Sequence, residues 1–276
     1  MSKTIHIVTS SLTPLRDCHL IAKLTWHWKQ SGYKIAVGSM GSIPRDIDLA
    51  ILHIDKTHLN SEDIALNPLE KPFLNNRVLD ISKRNFSKFI LTRNDNWDGA
   101  VIIKSNFNCY GRREWKIHSK SLSDTIRHNL ARLSWRHARM LPPDTYPVLA
   151  RQSDVPHWVW DHPDLIVERF MPEREGDEYC IRGWLFFGSH GYTYRLYSKN
   201  PVIKAGTSLR HEFLGEPPAE LQDFRSANGW DFGKFDYVMV GDQPVLLDIN
   251  KTPSLLSAPD TPRVQYLASA IEEYFS

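Results

Sequence analysis

Between Phe232 and Pro253 the chain reads F-G-K-F-D-Y-V-M-V-G-D-Q-P-V-L-L-D-I-N-K-T-P, two apolar runs either side of Gly241-Asp242. Such a pattern predicts a β-hairpin closed by the Gly-Asp turn. Yet Asp236 interrupts the first run, and Asp248 and Asn250 interrupt the second. Two carboxylates meeting in a mostly apolar sheet repel each other and lose hydration, and a divalent cation removes both costs. Register decides whether they meet. If Val240 pairs with Pro244 across a three-residue loop, Val238 faces Leu246, Asp236 faces Asp248 and Lys234 faces Asn250. A two-residue loop moves the pairing by one and turns Asp248 to the other face. The expectation is therefore an odd-length loop and a site of Asp236, Asp248 and Asn250, whose oxygens suit magnesium. The alternative is an exposed hairpin whose acids point to water.

The chain as a whole fits a soluble enzyme. Its 276 residues suffice for one large domain or two to three small lobes around a cleft. A net charge of +2 gives no basic face of the kind nucleic acid requires, which argues against that class of partner. Three widely spaced cysteines, Cys18, Cys109 and Cys180, argue against a disulfide framework and for a reducing, cytoplasmic compartment. No apolar run reaches bilayer length, so no membrane partner is expected.

Three units follow along the chain. Residues 1–74 read as strand, helix, strand, strand, an α/β lobe in which Thr13 caps and Pro14 opens a helix running to about Gln30. The helix-opening T-S-S-L-T-P could hold an anion on free amides, or its hydroxyls could simply cap the helix. Residues 75–164 hold a short helix from Ser82 to about Leu91, the strand A-V-I-I-K-S-N, and a basic helix from Leu122 to Met140. That helix carries Arg127, His128, Arg132, Arg136, His137 and Arg139, which could frame an acidic substrate or merely face water. Residues 165–276 begin with L-I-V-E-R-F and continue with Y-C-I-R-G-W-L-F-F and Y-T-Y-R-L-Y-S around a G-S-H-G turn, a helix, the opening hairpin and a final helix. Short antiparallel strands alternating with helices make this half α+β.

The segment G-W-D-F-G-K-F-D-Y-V-M-V-G-D-Q-P-V-L-L-D-I-N-K-T-P resembles the metal-binding end of the ATP-grasp superfamily, in its carboxylate–amine and peptide ligase branch. There an acid on one strand is followed by a strand ending in acid, one residue, then Asn. Asp236, Asp248 and Asn250 match those positions, although most members carry Glu where this chain has Asp248. The resemblance covers roughly Asn75 to Phe275. It implies an ATP-grasp fold, α/β and α+β, preceded by a small Rossmann-like α/β lobe, with ATP and Mg2+ bound between lobes.

Further positions are carried by the same resemblance. Lys83 and Lys104 match the two nucleotide-binding lysines, with Arg84 and Lys88 near the first. The stretch N-F-N-C-Y-G-R-R stands where relatives place a glycine-rich loop over the phosphates, with Arg112 and Arg113 in place of missing glycines. Glu168 matches the acid or amide before the hinge, and the backbone of Arg169, Phe170 and Met171 would meet the adenine edge. Glu175 is the ribose candidate, with Glu173 or Asp177 close behind. Arg182 matches an arginine of the ligase branch, and Arg195 lies on a neighbouring strand. With Lys104 they would act catalytically on phosphates or oxyanions. Arginines on strands with alternating aromatics are costly to bury unpaired, so the alternative is that they ladder with Glu168, Glu178 or each other's neighbours on a wet face. Lys199, Asn200 and Lys204 come next as substrate contacts.

The implied activity joins a small-molecule or peptide carboxylate to an amine through an acylphosphate. A small-molecule kinase on the same scaffold, and a nucleotide-binding regulator without turnover, remain the alternatives. A homo-oligomer is compatible with the sequence.

Overall fold

In a computed structural model the described residues are 2–60, 71–112, 114–115, 121–143, 145–203, 206 and 208–275. They build three sheets. The first is parallel, from β1 (Thr4–Val8), β2 (Lys34–Gly38), β3 (Leu49–Leu52) and β4 (Phe73–Leu74) in the order β2-β1-β3-β4. Helix α1 (Leu20–Gln30) covers it with Leu20, Ile21, Leu24 and Trp28, all buried. This helix starts later than Thr13 and Pro14 suggest. Ser10 and Thr13 close a local turn instead, with Thr13 N donating to Ser10 O at 3.0 Å and the hydroxyls 2.7 Å apart. The first helical amide, of Leu20, donates to Pro253 O at 2.8 Å. Tertiary contact with the end of the hairpin therefore fixes the helix start.

The second sheet is antiparallel, with β5 (Ile90–Leu91), β6 (Val101–Ser105), β7 (Val148–Leu149) and β8 (Leu165–Arg169) in the order β5-β8-β6-β7. L-I-V-E-R-F thus belongs with the middle unit, because β8 finds its partners in β5 and β6. The helix expected from Ser82 to Leu91 is only α2 (Lys83–Phe86). Ile90 and Leu91 leave it to pair with Glu168 and Val167, so strand pairing overrides helix continuation. Helix α3 (Leu122–Ala138) is capped by the Ser121 hydroxyl, which accepts from Asp124 N at 3.1 Å, and it breaks at Ser134. The W-V-W run forms α4 (His157–Trp160), whose Val159, Trp158 and Trp160 pack on Val101, Ile103 and Val167.

The third sheet has six strands. They are β9 (Glu173–Glu175), β10 (Glu178–Phe187), β11 (His190–Ser198), β12 (Arg210–Phe213), β13 (Phe232–Val240) and β14 (Gln243–Asn250). The order is β12-β11-β10-β13-β14, with β9 also on β10. Helices α5 (Ala219–Ala227) and α6 (Pro262–Ser269) flank it, and a 3-10 turn carries α6 on to Tyr274. Leu185, Phe187 and Phe232 share one buried cluster with Ile5, Ile7, Trp28, Val264 and Leu267, which welds the first sheet to the third. Asn75 pins the same junction: its side chain donates to Phe232 O at 2.8 Å and accepts from Asp231 N at 2.9 Å.

His53, just past β3, lies inside this seam at 1% exposure, with Nε2 3.0 Å from His19 Nδ1. Burial, with His19 beside it, drives its pKa from 6.5 down to about 3. The unfolded chain takes up this proton near the ordinary histidine pKa, whereas the folded chain refuses it until far lower pH. Stability from this group is thus complete above pH 6.5 and falls as pH drops towards 3, by up to about 1.4 kcal/mol per pH unit. Urea midpoints should decline across that window, and His53→Phe should flatten the decline. An unchanged slope in the variant would remove His53 as its source.

Candidate active site

The hairpin reaches its geometry by an unexpected route. Val240 pairs with Gln243, so the loop is two residues, Gly241 and Asp242, and not three. Gly241 has φ 59°, the sign that a type II′ turn needs at its first position. Two residues alone would put Asp248 on the wrong face. However, Tyr237 pairs with Leu246 while Asp236 pairs with Asp248, which leaves Leu247 as an extra residue. This β-bulge adds the one-residue shift that the short loop lacks. Asp236 and Asp248 stand opposite each other, and Lys234 stands opposite Asn250.

Both carboxylates line one cavity between the second and third sheets. Burial raises the Asp236 pKa, and the Asp248 charge adds to this against the pull of Lys234. Lys234 Nζ is 2.9 Å from Asp236 Oδ2. Burial works against its ammonium, but Asp236, Tyr194 and Asp248 outweigh it and hold the pKa above the ordinary lysine value. Asp248 Oδ1 lies 3.0 Å from Lys83 Nζ, yet it is buried without a properly directed hydrogen bond. Two partly dehydrated carboxylates, one with an unsatisfied oxygen, fit a hard divalent cation. Among the described residues no three His, Cys, Asp or Glu side chains group as metal ligands, so protein donors would be few and waters or phosphates many. Asn250 does not line the cavity; its Oδ1 accepts from Thr252 N at 2.8 Å.

The opposite wall comes from the second sheet. Lys83 opens α2 and is 2% exposed, and its ammonium also donates to Phe107 O at 2.9 Å. Arg84 is turned away, donating to Leu165 O, and Lys88 is exposed. Lys104 on β6 and Glu168 on β8 are diagonal neighbours across the antiparallel pair, 2.5 Å apart between Nζ and Oε2, and both buried. Glu168 Oε1 has no hydrogen-bond partner among the described residues. At the hinge, the amides of Arg169 and Phe170 are spent on Phe89 O and Ala100 O. Met171 N–H makes no hydrogen bond among the described residues, and Pro172 has none to give. Of the hinge amides, Met171 is therefore the donor left for a ligand edge.

The remaining candidates lie elsewhere. Gly183 pairs with Asp236, whereas Arg182 pairs with both Arg195 and Tyr237. Alternation along β10 therefore puts both arginines on the face opposite Asp236. There Arg182 grips Glu173 bidentately at 2.7 to 3.0 Å, and Arg195 reaches Glu175 at 2.8 Å and Glu212 at 2.9 Å. Two like charges directly opposed are tolerated because Glu173 lies between them. Glu175 is exposed and tied also to Arg210, and neither it, Glu173 nor Asp177 lines the cavity. The two arginines thus sit in an ion-pair ladder, but with Glu173, Glu175 and Glu212 and not with Glu168 or Glu178, which pair with Lys104 and Arg210. Lys199 and Asn200 are exposed, while Arg113 and Lys204 lie outside the described residues.

Several lining residues escaped the sequence reading, including Phe89, Ile102, Tyr110, Tyr146 and Leu247. Tyr110 and Tyr146 pack ring to ring at 4.4 Å. Burial, with Asp248 nearby, pushes the Tyr146 phenol far above its ordinary pKa. Cys109, Tyr110 and Gly111 have φ of 47°, 61° and 70° in succession. Left-handed non-glycine residues cost roughly 1–3 kcal/mol each and gather at ligand clamps. The Y-G pair was the available signal; Tyr146 had none.

No family model matches the chain, and no curated protein matches it. Solved structures do match. The macrocyclase MdnC from Microcystis aeruginosa MRC, bound with precursor peptide MdnA, is 10% identical with a TM-score of 0.56, covering 99% of this chain and 100% of that one. The ATP-grasp ligase PsnB, complexed with minimal precursor, is 10% identical with a TM-score of 0.55 over the same shares. The chain has the fold of these ligases.

Proposed function

We propose, from the ATP-grasp fold and the cavity between its two sheets, that this chain is an ATP-dependent ligase joining a carboxylate to an amine. One observation carries the reading: two buried lysines, Lys83 at the start of α2 and Lys104 on β6, meet two opposed carboxylates of the third sheet, Asp236 and Asp248, in a single cavity. Asp236 and Asp248 would hold the magnesium, with Asn250 beside them once its amide turns from Thr252. Bound magnesium and ATP would supply the phosphoryl group that activates a carboxylate as an acylphosphate for displacement by an amine.

The chain's own groups account for the rest. Lys83 neutralises Asp248 in the free protein and would turn its ammonium to phosphate oxygens when the cation takes that carboxylate. Lys104, held by Glu168, presents a fixed positive charge to the nucleotide. Met171 N–H orients the base, and Phe89, Ile102 and Val238 exclude water around it. Arg182 and Arg195 brace β9, β10 and β12 and are left out of the chemistry. MdnC binds a precursor peptide, which supports a peptide as one substrate here.

The test is ADP release measured against a panel of carboxylic acids and amines. A ligase should release ADP and free phosphate only with both partners present. Phosphate retained on a single product would replace this reading with a kinase. Binding of MgATP with no turnover across the panel would replace it with a nucleotide-dependent regulator.

A further inference from the structure

A second, larger cavity of about 1130 Å³ lies on the far side of the Cys109–Gly111 turn, and Tyr110 lines both. Its volume is at or above the roughly 300–1,000 Å³ of pockets for drug-sized molecules, so it has room for a chain segment. The described lining brings four parts of the fold together: Lys56 and His58 after β3, Phe107, Tyr110 and Trp115 after β6, α3 with the turn that follows it, and His162 and Asp164 just before β8.

Charge is concentrated here. The chain carries 34 Lys and Arg against 32 Asp and Glu. The cavity lining holds five permanent cations, Lys56, Arg112, Arg127, Arg132 and Arg139, against two carboxylates, Glu114 and Asp164. Groups of both signs have contacts within the fold: Glu114 Oε1 accepts from Thr57 N at 3.1 Å, and Arg127 donates to Ala138 O at 3.4 Å. A cleft lined mainly by one sign of charge focuses the field and raises the local concentration of oppositely charged ligands. A second observation is independent of charge. The Trp115 indole N–H is buried in this lining with no partner among the described residues, a donor that is costly to leave unsatisfied until an acceptor arrives.

We propose that this second cavity binds an acidic segment of a peptide substrate, with Arg127, Arg132 and Arg139 meeting its carboxylates and Trp115 Nε1–H meeting a carbonyl or carboxylate oxygen. The proposal rests on the ligase reading and adds to it the character of the peptide and the place where it docks. From here the Tyr110 turn is the short way to Lys83 and Asp248. A nucleic acid is disfavoured because the face of Trp115 is already covered by His128, with centroids 4.6 Å apart, which removes the stacking platform.

Fluorescence anisotropy of fluorescein-labelled hexaglutamate, with MgATP present, tests the cavity. Hexaglutamate should bind, and should weaken as salt rises. The double variant Arg132→Glu, Arg139→Glu should bind at least about tenfold more weakly, since two attractive charges become like charges facing the ligand. Both side chains are exposed and outside the nucleotide cavity. The milder pair Arg132→Gln, Arg139→Gln guards against misfolding and should give an intermediate loss. The proposal is overturned if hexaglutamate binds no better than hexalysine, if the variants bind it as the parent does, or if an oligothymidylate binds in its place. The MgATP-induced rise in Tm judges the nucleotide cavity separately. Its absence alongside intact hexaglutamate binding would sink the ligase reading and leave the acidic-segment site standing.

Discussion

Asp248→Asn is expected to leave the protein folded and to lower ADP release by about 10²–10³-fold or more, the usual consequence of losing one preorganised electrostatic contact. Asparagine keeps the volume of the side chain and an oxygen towards Lys83, which is 2% exposed and retains Phe107 O as an acceptor. What it loses is the charge that faces Asp236. The MgATP-induced rise in Tm should shrink with the rate, because the same carboxylate serves binding and turnover. Asp248→Ala should add a stability loss of about 1–2 kcal/mol, modest because the Asp248 side chain is one-third exposed. Full ADP release in a folded Asp248→Asn protein would take this residue out of the mechanism.

The Lys104–Glu168 pair gives the largest expected effect on stability. Both groups are inside the protein, at 6% and 2% exposure, and one oxygen of Glu168 already lacks a partner among the described residues. Lys104→Met strands a buried carboxylate and should cost about 3–5 kcal/mol in urea denaturation. Lys104→Met combined with Glu168→Met removes both charges and should recover most of that loss, because buried pairs are often matched by apolar residues of similar size. Nucleotide binding should behave differently and stay lost in the double variant, since its positive charge is gone. Recovery of stability without recovery of binding would separate the fold's need for the pair from the site's need for the lysine. A single Lys104→Met variant as stable as the parent would show that Glu168 finds another way to shed its charge.

The antiparallel strands were legible because their alternation and glycine turns are local. The pairing of Asp236 with Asp248 was legible as a requirement, but the path to it was not. A three-residue loop and a two-residue loop with a bulge at Leu247 give the same facing pair, and a bulge has no dependable local signature in V-L-L-D. Lys83 could be preferred to Arg84 and Lys88 only by likeness, since three basic side chains within six residues look alike until tertiary packing buries one. Arg182 and Arg195 show where parity stops informing. Period two tells which residues of β10 share a face, but only the partner register with β13 tells which of its faces meets the nucleotide cavity. The helix start expected at Thr13 failed for a similar reason: a contact from Pro253, far along the chain, selected Leu20.

By itself the sequence determined which chemistry was present: carboxylates inside apolar strands, lysines at strand and helix ends, and a helix far richer in basic than in acidic side chains. These follow from side-chain identity and short-range periodicity, which a linear chain carries in full. The tertiary structure alone decided which of these groups face one another. Burial, register shifts and the convergence of Lys56 with Arg127, Arg132 and Arg139 depend on contacts between distant segments, and the energy of such contacts is not written in any one of them.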